Sequence, residues 1–159
     1  EPYRRQRQMC IRDRFVIGQK IRAVVRQTEL HRIHLTHREL LGTWEENAAA
    51  FSAGQTVAGI IRSVESYGVF VELAPNLAGL AEPCEDAVAG QCASVYIKAI
   101  LPEKMKVKLI LIDTFAQTDP PQPPRYFVPE SQTHLDYWRY TPESSPRIIE
   151  TDFRFPNSI

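Results

Sequence analysis

Residues Val57–Leu80 read VAGIIRSVESYGVFVELAPNLAGL, and this stretch decides the fold. Apolar and polar side chains alternate within short runs, which are separated by turn residues at Tyr67-Gly68 and Pro75-Asn76. Alternation with a period of two predicts β-strands that bury one face. The stretch therefore predicts three consecutive short strands joined by tight turns.

Two further strands follow this stretch. Val95, Ile97 and Ala99 alternate with polar residues, and Lys106–Asp113 alternates in the same way. Five short strands within some sixty residues, without a helical period, predict a small closed barrel over residues 54–113. The predicted fold class is therefore all-β, with a small closed barrel of five strands.

The first of these strands has an irregular step. Val57, Gly59 and Ile61 occupy alternate positions, but the next apolar residue, Val64, comes three positions later. An extra residue in one strand is typical of a β-bulge. We therefore predict a bulge between Ile61 and Val64.

The segment before the barrel predicts two smaller elements. Residues 15–37 contain two short apolar–polar runs joined by a polar turn, which is the pattern of a hairpin. Thr43 and Glu46 have the spacing of a capping box, so a short helix is predicted over Trp44–Ser52, within a connector of residues 38–53.

The segment after the barrel is rich in proline and aromatic residues. Residues 114–125 carry four prolines and predict an extended linker. Residues 126–159 contain several aromatic side chains interrupted by prolines. We expect this extension to form two or three short strands that dock on the barrel.

Arg4–Arg14 reads RRQRQMCIRDR and has neither helical nor strand periodicity. Such a segment is typical of a disordered basic arm or of an RNA- or membrane-binding tail. It also resembles, residue for residue, the in-frame translation of a transposase-type sequencing adapter. We interpret residues 1–14 as this artefact and expect them to be disordered. From Phe15 onward, 14 basic residues stand against 17 acidic ones, which leaves a net charge near −3.

Composition excludes several classes of protein. The 159 residues are 43% hydrophobic and 24% charged, and no apolar run approaches the roughly 20 residues of a membrane-spanning helix. A formal net charge of zero excludes a strongly basic protein that coats nucleic acid. Three cysteines without disulfide or zinc-site spacing fit the reducing cytosol, so we expect a cytoplasmic protein.

The order of residues across the strands resembles the S-one RNA-binding domain, the repeat of the largest small-subunit ribosomal protein and of many RNA-processing enzymes. The residues that carry the resemblance are Gly54, Val57, Gly59, Val64, Tyr67-Gly68, Phe70-Val71, Gly79-Leu80, Gly90 and Lys106. The resemblance covers Phe51–Asp113. It implies a barrel of the oligonucleotide-binding (OB-fold) type and an RNA-binding protein of translation, with single-stranded RNA and the ribosome as partners. Residues 15–37 resemble the last two strands of a preceding repeat, so we expect a fragment of a longer repeat protein.

The candidate RNA-binding residues lie on one side of the predicted barrel. OB-fold barrels bind single strands across their second and third strands. Tyr67 lies at the turn between the first two strands, and Phe70 points away from inward-facing Val69 and Val71, so both are predicted to stack on bases. A core position for Phe70 is the alternative. Glu82 stands where the family has a histidine that lines the RNA groove.

Lysines on or between the last two strands are the predicted phosphate contacts, with a merely solvated edge as the alternative. They are Lys98, Lys104, Lys106 and Lys108. Glu82 is expected to weaken RNA affinity because its charge repels phosphate. Cys84 replaces the serine of the family pattern, and the acid at the end of the family's fourth strand is absent.

Two other functions therefore remain open: a degenerate barrel that binds protein, and the accessory RNA-binding domain of a longer enzyme. His31, His34 and His37 straddle a predicted turn, and His134 and Asp136 have no nearby nucleophile. We find no motif for catalysis, metal or phosphate binding, and we expect no enzymatic activity, cofactor, small-molecule substrate or membrane partner.

Overall fold

The computed structural model of the chain describes residues 15–116 and 123–154. Its strands in chain order are β1 (Val24–Glu29), β2 (Arg32–Thr36), β3 (Thr56–Glu65), β4 (Gly68–Ala74), β5 (Leu77–Ala81), β6 (Cys92–Leu101), β7 (Lys106–Phe115), β8 (Tyr137–Arg139) and β9 (Glu150–Asp152). Within the described ranges, the helical elements are α1 (Trp44–Ala48) and 3-10 turns at Arg38–Leu40 and Pro102–Lys104. The predicted adapter segment, residues 1–14, and residues 117–122 of the predicted linker lie outside the described residues.

Five of these strands close into a barrel with the order β3-β4-β5-β7-β6. Strand β3 closes it by pairing with both β4 and β6. All neighbouring strands are antiparallel except β5 and β7, which run parallel. This topology is that of an OB fold, so the predicted all-β, OB-fold class is confirmed.

The barrel interior is filled by the apolar residues that alternate along the strands. The inward-facing side chains with no exposed surface are Ile61, Val69, Val71, Val95, Ile97 and Ala93. Burying one valine or isoleucine side chain stabilises a fold by about 1.5–3 kcal/mol, so this set is the main source of barrel stability. Gly59 allows β4 to approach closely, because a Cβ atom there would lie 2.5 Å from Val71 Cγ1 and 2.8 Å from the Glu72 carbonyl oxygen.

The predicted bulge is present in β3. The pairing of β3 with β4 shifts between Ile61 and Ser63, which leaves Arg62 as the extra residue. Val64 pairs with inward-facing Val69, yet it remains 40% exposed. It is the penultimate residue of β3 and lies beside the exposed turn at Ser66 and Tyr67.

The connector contains the predicted capping box. Thr43 Oγ1 accepts from the Glu46 amide at 3.1 Å, and Glu46 Oε1 accepts from the Thr43 amide at 3.0 Å. Helix α1 ends at Ala48, which is shorter than the predicted Trp44–Ser52. The Phe51 amide donates to the carbonyl of Ala48, three residues back, so the chain tightens into a turn at this point.

Strands β1 and β2 form a separate two-stranded hairpin, which lies in the region predicted as one. Val25 pairs with Leu35, and Thr28 pairs with Ile33. Val25, Ile33 and Leu35 are all exposed. Among the described residues no third strand pairs with this hairpin.

The C-terminal extension folds back on the connector. Its strands β8 and β9 pair with each other, and Tyr140, just after β8, is almost fully buried. The Tyr140 hydroxyl donates to the backbone carbonyl of Asn76 in the β4–β5 turn, and the Trp44 amide donates to the Tyr140 carbonyl at 3.0 Å. The Asn76 side chain donates to the carbonyls of Arg38 and Gly42, both at 2.8 Å. These contacts join the extension, the connector and one end of the barrel.

Candidate nucleic-acid interface

Three outward-facing side chains stand in one row across adjacent strands of the barrel. Phe70 on β4 pairs with Leu80 on β5, and Leu80 pairs with Lys108 on β7. Neighbouring strands lie about 4.8 Å apart, so the row spans roughly 10 Å. Strands β4 and β5 are the second and third strands of the barrel, the face on which OB folds hold single strands. We call this row and Tyr67 the platform.

The two predicted stacking residues contact each other. Tyr67 lies in the β3–β4 turn and is 50% exposed, while Phe70 is half-buried. Their ring centroids are 6.0 Å apart at an interplanar angle of 82°, an edge-to-face arrangement. The structure places Phe70 outside the barrel core, as the alternation of β4 predicted. One ring supports the other, which leaves Tyr67 open to solvent.

Gly68 permits the close packing behind these rings. A Cβ atom at Gly68 would lie 2.7 Å from Leu80 Cδ1 and 2.6 Å from the Ala81 carbonyl oxygen. A larger side chain would therefore push β5 away from β4. The glycine between the two aromatic positions thus maintains the geometry of the platform.

The four predicted lysines are all exposed, but only Lys108 lies in the row with Phe70. Lys106 begins β7 opposite Leu101, and Lys104 lies in the 3-10 turn that precedes it. Lys98 lies on β6, where the pairing with β7 shifts between Ile97 and Ala99. Lys106 and Lys104 therefore extend positive charge from Lys108 toward the β6–β7 turn, while Lys98 lies level with Lys108 on the neighbouring strand.

Glu82 lies at the edge of the platform. It follows Ala81, the last residue of β5, which pairs with Val69 of β4 and Leu109 of β7. It is exposed, as are Glu85 and Asp86 in the same loop. This loop places negative charge beside the row of aromatic and basic side chains.

A buried ion pair lies next to Phe70, and the sequence analysis did not find it. Arg62 Nη2 lies 2.9 Å from Glu72 Oε2, and both side chains are less than one-tenth exposed. Arg62 is the bulge residue of β3, and Glu72 is two residues beyond Phe70 on the same face of β4. Removing one partner of a buried pair typically costs about 3–5 kcal/mol, so this pair fixes the bulge against β4. An outward-facing acid opposite a predicted bulge was the available signal.

The histidines do not form a site. His31 occupies the hairpin turn with a φ of 69°, His34 lies on β2, and His37 packs edge-on against Tyr126. His134 Nε2 lies 2.8 Å from Asp136 Oδ1 on an exposed surface. No group of three or more histidine, cysteine or acidic residues suited to a metal ion occurs within the described ranges.

The shifted titrating groups also lie away from the platform. Hydrogen bonding to Arg154 holds the pKa of the Asp152 carboxyl below its usual value, and the hydrogen bond from Tyr137 to Glu150 raises the pKa of that phenol. Both belong to the β8–β9 hairpin.

Within residues 15–116 and 123–154, no helix reaches the length and apolarity that a membrane span requires.

The topology and the platform define an OB-fold domain whose outer face carries aromatic and basic side chains. Over 144 residues the chain is 26% identical to small ribosomal subunit protein bS1 of Rhizobium meliloti (strain 1021). The similarity covers 89% of this chain and 24% of that protein, so the chain spans about a quarter of its relative's length. This similarity supports an S-one-like domain in the chain. No protein-family model matches it.

Two solved structures share a local likeness with the chain. One is an uncharacterized protein, MJ1198, of Methanocaldococcus jannaschii, with 23% identity, a TM-score of 0.37, and coverage of 39% of this chain and 93% of that one. The other is a multidomain protein with nucleic acid binding domains from Streptococcus pneumoniae TIGR4. Its identity is 18% and its TM-score 0.32, with coverage of 51% of this chain and 30% of that one.

Proposed function

We propose that the barrel binds single-stranded RNA across the platform, as part of a protein of translation. The observation that carries this proposal is the platform itself, in which exposed Tyr67 and half-buried Phe70 stand beside Leu80 and Lys108. The sequence similarity to ribosomal protein bS1 supports RNA as the ligand and the ribosome as a further partner.

The chemistry of the platform suits an unpaired strand. Stacking of a base on an aromatic side chain contributes about 1–3 kcal/mol and requires no particular base. Each lysine that meets a phosphate releases counterions, so binding should weaken with salt by a slope of about −0.7 per contact on single strands. Bases within a duplex do not reach the rings, so duplex RNA should bind more weakly.

The acidic loop favours a second candidate function. Glu82 is exposed beside the platform, where it repels phosphates, and the loop that follows carries two further exposed acids, Glu85 and Asp86. A barrel with such an edge suits a basic protein surface, so protein binding is the alternative proposal. In either case we propose a cytoplasmic binding protein without catalytic activity or cofactor.

The test is a titration of the whole chain with a labelled pyrimidine-rich oligonucleotide. Tyr67→Ala and Phe70→Ala should each weaken binding by about 1–3 kcal/mol, because each removes one stacking surface. Tyr137→Ala is the matched control, since Tyr137 is exposed on β8 away from the platform, and it should leave affinity unchanged.

Thermal unfolding of the same variants separates binding from folding. Both platform variants should unfold cooperatively like the wild type. Unfolding of Phe70→Ala at room temperature would show that Phe70 belongs to the core and would overturn the face assignment. If the wild type and both variants bind the oligonucleotide with equal affinity, the platform is not the RNA-binding surface.

A further inference from the structure

An exposed apolar pair lies beyond Lys108 on the outer face of the barrel. Tyr96 on β6 pairs with Ile110 on β7, and their residues are 37% and 44% exposed. Both are flanked along the chain by buried residues: Val95 and Ile97 have no exposed surface, and Leu109 has little. Tyr96 and Ile110 therefore point outward in mid-strand and place an aromatic ring and an aliphatic side chain side by side on the barrel surface.

The charges nearest this pair on its own two strands are positive, and Glu82 lies on the side of Ile110, since Ala81 before it pairs with Leu109. Lys98 lies two residues after Tyr96, and Lys108 lies two residues before Ile110. Neither lysine takes part in an ion pair among the described residues. Among the residues of β6 and β7, Asp113 is the only acidic one, and it lies three residues after Ile110. Because β6 and β7 are antiparallel, both lysines lie on the same side of the pair, toward the β6–β7 turn. An aromatic ring beside two lysines is complementary to a polyanion that carries flat rings.

The pair is also continuous with the platform. Lys108 belongs to the row that contains Phe70, and it pairs with Ala99 on β6. From β4 to β6 the outer face crosses three strand spacings of about 4.8 Å, or roughly 14 Å in all. Glu82 lies beside this path at the end of β5. Because its negative charge repels phosphates, their passage past Lys108 and Lys98 is favoured.

We propose, resting on the function proposed above, that single-stranded RNA continues across Lys108 onto β6 and stacks a further base on Tyr96. Lys98 and Lys108 then hold the phosphates that lead from the platform to that base. The domain consequently binds a longer segment than the Tyr67–Phe70 pair alone accommodates. Segments of roughly 4–16 nucleotides are usual for one OB fold.

The experiment compares oligouridines of four and ten nucleotides on the full chain and its variants. Tyr96→Leu removes the ring and keeps an apolar side chain in the strand, whereas Tyr96→Phe keeps the ring. Tyr137→Leu is the control for loss of an exposed tyrosine. For the ten-nucleotide RNA, Tyr96→Leu should weaken affinity by about fivefold or more, the lower end of a base–aromatic stack. Tyr96→Phe and Tyr137→Leu should leave it unchanged.

The four-nucleotide RNA separates this inference from the proposed function. It should bind the wild type and Tyr96→Leu equally, because it fills only the platform. If Phe70→Ala weakens binding of both RNAs while Tyr96→Leu weakens neither, Tyr96 is not part of the path and the inference is overturned. If the wild type binds neither RNA, the proposed function itself fails.

Photocrosslinking provides a readout without any substitution. The wild-type chain, irradiated with a ten-nucleotide RNA that carries 4-thiouridine, should yield a crosslinked peptide containing Tyr96 as well as one containing Tyr67 or Phe70. Crosslinks restricted to the peptide of Tyr67 and Phe70 would overturn the inference. This measurement still applies if Tyr96→Leu fails to fold.

Discussion

The β6–β7 hairpin and the β1–β2 hairpin have similar sequence patterns and opposite environments. Val95 and Ile97 on β6 are 0% exposed, whereas Ile33 and Leu35 on β2 are 68% and 62% exposed. Strands β3 and β5 flank the first hairpin and complete a barrel around its apolar face. The β1–β2 hairpin has no such neighbouring strands within the described residues.

This difference shows that alternation selects a face but does not bury it. Removal of apolar surface from water stabilises a fold by about 25 cal/mol per Å², and only an opposing surface removes it. A two-stranded hairpin alone is marginally stable. Here the segment just before β1 is hydrogen-bonded to the C-terminal extension. The Arg22 side chain donates to the Val128 carbonyl at 2.6 Å, and the Arg22 backbone amide donates to the Tyr126 hydroxyl at 3.1 Å.

The largest expected effect separates the two hairpins directly. Ile97→Ala should lower the free energy of unfolding by about 2–5 kcal/mol, because it leaves a cavity in a packed barrel. Leu35→Ala should change it by less than about 0.5 kcal/mol, as surface substitutions usually do. Urea unfolding of both variants provides the measurement. A comparable loss for Leu35→Ala would show that the hairpin face is covered.

Asn76→Ala tests how the connector is held to the barrel. Asn76→Ala removes two hydrogen bonds, each 2.8 Å long, and leaves the carbonyls of Arg38 and Gly42 without this donor. We expect a loss of about 1–3 kcal/mol in the free energy of unfolding. Ser66→Ala, in the exposed β3–β4 turn, is the control and should be nearly neutral. An Asn76→Ala variant as stable as this control would contradict the assigned role.

Much of the fold could be predicted because its signals are local. The alternation of Val69, Phe70 and Val71, the extra residue in β3 and the Thr43–Glu46 capping box each depend on residues a few positions apart. The contact between Tyr140 and Asn76 joins residues 64 positions apart, and neither residue carries a local sign of it. The pattern predicted docking of the extension on the barrel, but it identified neither the Tyr140–Asn76 contact nor the contact with the connector.

The platform could be predicted only in part for a related reason. Alternation assigns Phe70 and Lys108 to the outer face of their strands, but it does not give the register between strands. The pairing of Leu80 with both neighbours brings them into one row, and the pairing of Tyr96 with Ile110 creates the second apolar surface. The Arg62–Glu72 pair depends on the bulge and was missed for the same reason.

A smaller effect is expected at Glu82, on the acidic edge of the platform. Glu82→His should raise the affinity for single-stranded RNA by about 1 kcal/mol, because an imidazole stacks and donates a hydrogen bond where a carboxylate repels phosphate. The gain should shrink as salt rises, since the charge contribution is screened. Glu45→His on α1 is the matched control. A failure of Glu82→His to improve RNA binding would favour the protein-binding alternative.

The central claim is that single-stranded RNA contacts the outer face of β4, β5 and β7 and not the exposed β1–β2 hairpin. Amide NMR spectra of the labelled chain, recorded during titration with a pyrimidine-rich oligonucleotide, test this most directly. The account predicts the largest shifts at Tyr67, Phe70, Leu80 and Lys108, with the amides of β1 and β2 unchanged. Shifts confined to β1–β2 or to the C-terminal extension would contradict it.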